Sequence, residues 1–451
     1  MAQSVPTELG SEKIGRLLKQ YAIPAIIAMT ASSLYNMVDS IFIGHGVGAY
    51  AIAGLAITFP LMNLGAAFGS LVGVGASSLI SLLLGEKNYD TARRVFGNVI
   101  TLNLLIGFLY TVAVLLFLDP ILFFFGGSEQ TLPYAREYMV IILCGNMITH
   151  LYFGLNAVLR AAGFPKRAMY ATIFTVVLNT IIDPLFIYAF DMGIRGAAVA
   201  TVLSQLTALC WQLKLFSNKN DILHFKPGIY KIVPRIAKDI IAIGASPFLM
   251  NIAACFIVIL INSGLKKYSG DLAIGAYGII NRVAFIFVMI VMGLNQGMQP
   301  IVGYNYGAKN FDRVEKTLVT TIFLATGVTA FGFIIAELFP RLFIYMFTTE
   351  QDLIEIAVKG MRITFMFFPI VGFQMVTTNF FQSVGMAGKS IFLSLSRQLI
   401  FLAPCLIVLP LFFGVTGIWA SMAASDALAS IIAAIMLTNQ IKRFKRSKNG
   451  E

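Results

Sequence analysis

Twelve apolar segments, at roughly 17–43, 50–83, 92–118, 134–158, 168–190, 194–216, 236–264, 272–304, 314–339, 354–381, 390–412 and 415–440, are each long enough to cross a membrane. A hydrocarbon core of ~30 Å takes about 20 helical residues. The rest of the composition agrees: 58% of residues are hydrophobic and 12% charged, against roughly 25% charged in a soluble average. The chain is therefore expected to be an all-α polytopic membrane protein of twelve transmembrane helices.

A formal charge of +12 would suit nucleic acid, but its placement argues against that partner. With both termini cytoplasmic, 25 Lys and Arg fall inside and seven outside, with Arg282 left within a span. Such a bias is the positive-inside rule and sets the orientation. About 16 polar and charged residues precede the first apolar run, which continues as a full span, so no cleavable signal is expected. Cys144, Cys210, Cys255 and Cys405 lie in spans without ligand spacing and read as small core residues. His45, His150 and His224 are scattered, with no acid or thiol at metal spacing. There is no phosphate-binding glycine loop, so neither a cofactor nor direct use of ATP is expected, and no nucleophile–base pair suggests an enzyme.

The spans divide into two sets of six that repeat one another. Residues from Ala51 to Asp90 align with Ala273 to Asp312 at a constant offset of 222 without a gap. Pro24 with Pro247, Arg160-Ala161-Ala162-Gly163 with Gln382-Ser383-Val384-Gly385, and Gly193-Ile194-Arg195-Gly196 with Gly414-Val415-Thr416-Gly417 extend the match. A repeat of this length is a structural unit that stacks on its copy. The expected domains are an N-terminal six-helix lobe at 1–216, a polar cytoplasmic linker at 217–235, and a C-terminal six-helix lobe at 236–451 with a basic tail. An even number of spans per half puts the pseudo-twofold axis along the membrane normal, so the lobes would face each other across a central cavity.

Acidic residues break the symmetry. Asp39 and Asp183 lie inside spans of the first half, while the aligned residues of the second are Asn262 and Cys405. An ionisable side chain within a span is expensive and is by default a functional candidate. Tyr35, Asn36 and Asp39 share one helical face, as do Asn179 and Asp183. Thr201 on the sixth span and Asn156 on the fourth are natural contributors to one polar pocket. Two neighbouring carboxylates cannot both ionise cheaply, so the pair is suited to share a proton. The same carboxylate, amide and hydroxyl oxygens suit Na⁺, and the residues alone leave H⁺ and Na⁺ open.

Three further features stand out in the spans. Pro24 removes a backbone hydrogen bond from the helix that carries Asp39 and is the hinge candidate. Met289 and Met292 on the eighth span provide adaptable apolar surface for a cavity, with Arg282 the deepest cation. Arg160 and Arg397 are most simply explained by snorkelling to the inner interface.

Pro24 with Tyr35-Asn36-Met37-Val38-Asp39-Ser40-Ile41-Phe42-Ile43-Gly44, Gly85-Glu86-Lys87-Asn88-Tyr89, Leu159-Arg160-Ala161-Ala162-Gly163 and Leu178-Asn179-Thr180-Ile181-Ile182-Asp183-Pro184 together resemble the multidrug and toxic compound extrusion (MATE) family. The resemblance covers essentially the whole chain and points to the bacterial and archaeal branch of DinF- and MepA-type exporters. It implies two six-helix lobes in a V, a plasma-membrane location, and export of lipophilic, often cationic drugs or toxic compounds against inward flow of H⁺ or Na⁺. It implies an ion-coupling site of Asp39, Asn179, Asp183 and Thr201, with Tyr35 and Asn156 lining it. Some relatives place coupling acids in the second lobe, where this chain offers only Glu337 and Asp426. Expected partners are small-molecule substrates and membrane lipids, and the chain is expected to act as a monomer. The alternative is a flippase for a lipid or lipid-linked sugar, which usually needs a basic central cavity.

Overall fold

The computed structural model describes residues 6–449, apart from the side chains of residues 34–37, 41, 44, 45, 49, 271 and 447–449. The helices that span are α1 (Ile14–Gly46), α2 (Ala49–Gly85), α3 (Tyr89–Leu116), α4 (Leu132–Cys144 and Asn146–Ala161, bent by 55°), α5 (Pro165–Pro184) and α6 (Ile194–Phe216). The second set is α7 (Pro234–Gly270), α8 (Leu272–Gly307), α9 (Phe311–Leu338), α10 (Gln351–Phe365 and Phe368–Ser383, bent by 51°), α11 (387–413) and α12 (415–449). Among the described residues nine stretches, or eleven with the two bent pairs, are long and apolar enough to span. Dividing the last stretch at Gly414, which breaks the helix with φ 56°, separates α11 from α12. The outer faces carry exposed Leu116, Phe124, Phe323 and Phe412, side chains that water would not tolerate in such density but lipid does. The protein is an integral membrane protein.

The repeat is written in the backbone as well as the side chains. Lys87 and Lys309, 222 residues apart, both adopt the left-handed conformation, with φ of 60° and 58°. Few non-glycine residues do so, and here each turns the chain between two antiparallel helices. Gly193 and Gly414 have nearly the same angles, φ 55° and ψ −135° against φ 56° and ψ −135°. A conformation with that φ and ψ is open to glycine and strained for other residues.

Packing groups the chain into two compact units. One comprises Ile27–Phe248 with the short leading segment that ends at Ser11; the other comprises Glu12–Ile26 and the chain from Leu249 onward. These limits differ from a division at residues 217–235. The linker is no free tether: Asn98 on α3 donates to the Lys231 carbonyl and accepts from the Val233 N–H, Thr101 donates to the Tyr230 carbonyl, and Arg93 donates to the Ile222 carbonyl. Phe225 of the linker packs its ring against Phe96 and Phe216. The opening turns of α7 then lie against α2. Glycine permits that contact, since a Cβ on Gly244 would lie 1.7 Å from the Leu71 carbonyl oxygen and one on Gly75 2.0 Å from that of Ile240.

The second unit repeats the device with the opening turns of α1. A Cβ on Gly297 would lie 2.6 Å from the Cα of Ala22, and one on Gly293 2.8 Å from that of Ile26. Arg313 fastens the start of the segment by donating to the Glu12 carbonyl at 2.7 Å. So α1 and α7 each change unit, at Ile26–Ile27 and Phe248–Leu249, one to two residues beyond Pro24 and Pro247. Pro24 itself is buried within a continuous helix.

Backbone contact of this kind cannot absorb a methyl group without moving a helix, which typically costs about 1–3 kcal/mol or more. Gly244→Ala is expected to lower the thermal-unfolding midpoint of the purified protein in detergent by several degrees, whereas Gly15→Ala, with nothing within 4 Å of the added Cβ, leaves it unchanged. Equal midpoints would contradict the close approach of α2 and α7.

Candidate functional site

The first unit brings Asp39, Asn179, Asp183 and Thr201 into one buried cluster. On α5, Asn179 and Asp183 sit one turn apart, and the Asn179 amide donates to Asp183 Oδ1 at 3.2 Å and to Thr201 Oγ1 of α6 at 3.4 Å. Asp39 of α1 lies close enough to Asp183 for the two carboxyls to interact electrostatically. All four residues are buried. Three oxygens of the cluster, Asp39 Oδ1, Asp183 Oδ2 and Asn179 Oδ1, have no hydrogen-bond partner. No Lys or Arg among the described residues forms an ion pair with either acid.

Local sequence explains how three helices converge there. Pro184 has no N–H to give to the helix and its ring crowds the carbonyl of residue 180, and the chain widens into a π-helical segment, Leu185–Ala189, directly after Asp183-Pro184. Wide turns of this kind frequently mark functional sites. Two contacts hold neighbouring helices against it. The Tyr188 hydroxyl donates to the Phe42 carbonyl at 3.0 Å, and Gly46 lets the end of α1 lie against Ile187 and Tyr188. Gly196 does the same for α6, where a Cβ would come within 2.7 Å of the Phe186 backbone. Tyr188, Gly46 and Gly196 thus position the acids. Gly196 belongs to a repeated turn visible in the sequence; nothing in the sequence marks Tyr188 or Gly46.

Other candidates lie elsewhere. The side chains of Tyr35 and Asn36 lie outside the described residues. Asn156 belongs to a separate polar group, donating to the Ala168 carbonyl at 2.9 Å and to Thr172 at 3.4 Å and accepting from Arg160. Arg160 therefore folds back onto its own helix, and simple snorkelling does not describe it. Arg282, exposed, and Met289 and Met292, half-buried, are on α8 in the second unit and form no part of the acid cluster. Arg397 departs from the snorkelling expectation too, because it pairs with the buried Asp426. Among the described residues no group of three or more His, Cys, Asp or Glu is placed to hold a metal.

Removing the acceptor of a half-buried guanidinium costs about 1.5–3 kcal/mol. Asn156→Ala is expected to lower the unfolding midpoint in detergent by several degrees and Asn156→Asp, which keeps an acceptor, by distinctly less. Identical losses in the two variants would show that Arg160 does not depend on residue 156.

Known proteins share both the repeat and the fold. A family model described as MatE matches residues 24–185 and again 247–407, each match starting at one of the paired prolines. The multidrug export protein MepA of Staphylococcus aureus (strain MSSA476) is 27% identical over 423 residues, 94% of this chain and 93% of the relative. MepA of Staphylococcus haemolyticus (strain JCSC1435) is 27% identical over 435 residues, 96% of each chain. The MATE multidrug transporter DinF-BH, whose structure was solved as a complex with a ligand, is 34% identical, with a TM-score of 0.88 over 95% of this chain and 96% of that one. An outward-facing multidrug resistance MATE family transporter of the MOP superfamily shares the fold, with a TM-score of 0.92 at 24% identity over 99% of this chain and 100% of that one.

Proposed function

This chain belongs to the MatE family, and from that premise we propose that it is a secondary antiporter that exports lipophilic, often cationic compounds in exchange for H⁺ or Na⁺ held by Asp39 and Asp183. Multidrug export by the MepA relatives, and multidrug transport by the DinF-BH relative, support the substrate class. The observation that carries the ion coupling is the set of three buried oxygens without partners on Asp39, Asp183 and Asn179. A buried acceptor left unmet costs about 1–3 kcal/mol, and more where the group is charged. Unmet buried oxygens of this kind are acceptors that a proton or Na⁺ would satisfy.

The cycle then follows from electrostatics. With the site empty, two neighbouring carboxyls inside an apolar lobe repel unless one carries a proton. A proton or Na⁺ arriving from outside relieves that repulsion and holds Asp39 of α1 against α5. Because α1 changes unit at Ile26–Ile27, beside Pro24, a shift of its outer half is passed to the point where the helix leaves the lobe. Pro24 is the hinge in this reading, and ion entry in the outward-facing state releases the substrate. Both termini are cytoplasmic, and a monomer suffices for the cycle.

Magnitudes set what such a machine can do. Each charge moved down a potential of 100 mV contributes ~2.3 kcal/mol. A neutral substrate exchanged for one cation draws on all of it. A monovalent cation exchanged one for one draws only on the ion gradient, so the number of ions per cycle decides how far cationic drugs are concentrated.

In proteoliposomes loaded with tetraphenylphosphonium, an imposed ΔpH or ΔNa⁺ is expected to drive efflux in the wild type. Asp39→Asn and Asp183→Asn are expected to reduce gradient-driven efflux at least tenfold while substrate still binds. Efflux that follows the gradient undiminished in both variants would sink the mechanism.

A further inference from the structure

The second unit contains a buried charge pair that the coupling reading leaves without a role. Arg397 Nε donates to Asp426 Oδ1 at 2.7 Å, with the arginine side chain 33% exposed and the aspartate 7%. Among the described residues each makes its only ion pair with the other. Arg397 is on α11 and Asp426 on α12, the counterparts in the repeat of α5 and α6, which carry Asn179, Asp183 and Thr201. By the offset of 221 that aligns Gly193 with Gly414, Met422 stands where Thr201 stands in the first lobe, and Asp426 follows it by four residues, about one helical turn.

Each lobe has a π-helical segment near its charged side chains. Arg397 falls within a π-helical segment, Ser396–Leu402, as Leu185–Ala189 adjoins Asp183 on α5. At the offset of 222 that pairs Asp183 with Cys405, Leu185–Ala189 would fall at 407–411, so the two wide turns occupy different places in the repeat and each adjoins a charged side chain of its own. The chemistry of the two lobes differs: the first has acids with no Lys or Arg paired to them, the second an acid with a cation already supplied.

We propose that Asp426 is a second site for H⁺ or Na⁺, kept closed by the guanidinium of Arg397, which acts as a tethered counter-ion that cannot leave. Breaking a buried pair strands the remaining charge, so Asp426 without Arg397 must take up a mobile cation instead. The consequence for the intact protein is a fixed count: only the first lobe exchanges ions, and the second is locked at constant charge. The proposal rests on the reading that Asp39 and Asp183 hold the coupling ion, since it concerns a further ion of the same kind.

The test is the ion-to-substrate ratio, measured in proteoliposomes with the membrane potential clamped at zero. The tetraphenylphosphonium gradient at which net flux vanishes is recorded against an imposed ΔpH or ΔNa⁺. Arg397→Gln is expected to raise the ratio by one ion, so that a tenfold ion gradient holds a tenfold larger substrate gradient than in the wild type. Adding Asp426→Asn to that variant is expected to return the ratio to the wild-type number. An unchanged ratio in Arg397→Gln overturns the proposal, and so does a lowered ratio in Asp426→Asn alone, which would mean that Asp426 already exchanges ions. Where Arg397→Gln yields no folded protein, the double variant is expected to fold, because the stranded charge is gone; failure of both to fold overturns the proposal equally. The underlying reading fails on different variants, Asp39→Asn and Asp183→Asn, so the two failures are distinguishable.

Discussion

Two carboxyl groups that interact inside an apolar bundle, with no Lys or Arg among the described residues paired to either, form the arrangement around which the first lobe is organised. Moving an isolated carboxylate out of water is prohibitively costly, and a second acid beside it adds repulsion. A fold accepts that cost where the site is filled and emptied in use. The supporting structure fits such a role: Asn179 points its amide at Asp183 and Thr201, a proline-initiated wide turn follows, and Tyr188, Gly46 and Gly196 hold α1 and α6 against it. The rigid parts lie around the acids, while Asp39, Asp183 and Asn179 each keep an oxygen without a partner.

Duplication supplies the frame, and divergence within it sets the division of labour. The turns agree to within a few degrees at Lys87 and Lys309 and at Gly193 and Gly414, and the glycine contacts Gly75 and Gly297 occur at equivalent positions. Each copy packs the opening turns of a helix whose remainder belongs to the other unit. Charge does not follow the repeat. The first copy has an uncompensated acid pair, and the second an acid already matched to an arginine. Two lobes that move alike need not bind alike.

Periodicity and length made the spans, the repeat and the acids legible, because hydrophobic runs of about 20 residues and fixed offsets survive without tertiary context. Spacing also placed Asn179 and Asp183 on one face, and the structure shows them one turn apart in contact. Depth and neighbours were not legible. Asn156 shares a lobe with the acids, yet its partners are Arg160, Ala168 and Thr172, since helix phase fixes direction and says nothing of which side chain reaches it first. Arg397 read as a residue bound for the interface; a buried carboxylate on the adjacent helix is the nearer partner, and only packing brings the two together. The linker read only as a polar connection between the halves, while Asn98 and Thr101 tie its backbone to α3 through carbonyls that sequence does not distinguish.

The claim that substrate and cation compete through the Asp39–Asp183 pair is tested most directly by following ion release from the purified protein in weakly buffered detergent solution. Adding tetraphenylphosphonium to the wild type should release protons, or bound radioactive Na⁺, in proportion to the substrate bound, and the release should vanish when both acids are replaced by asparagine. Release of undiminished size from the doubly substituted protein would contradict the account.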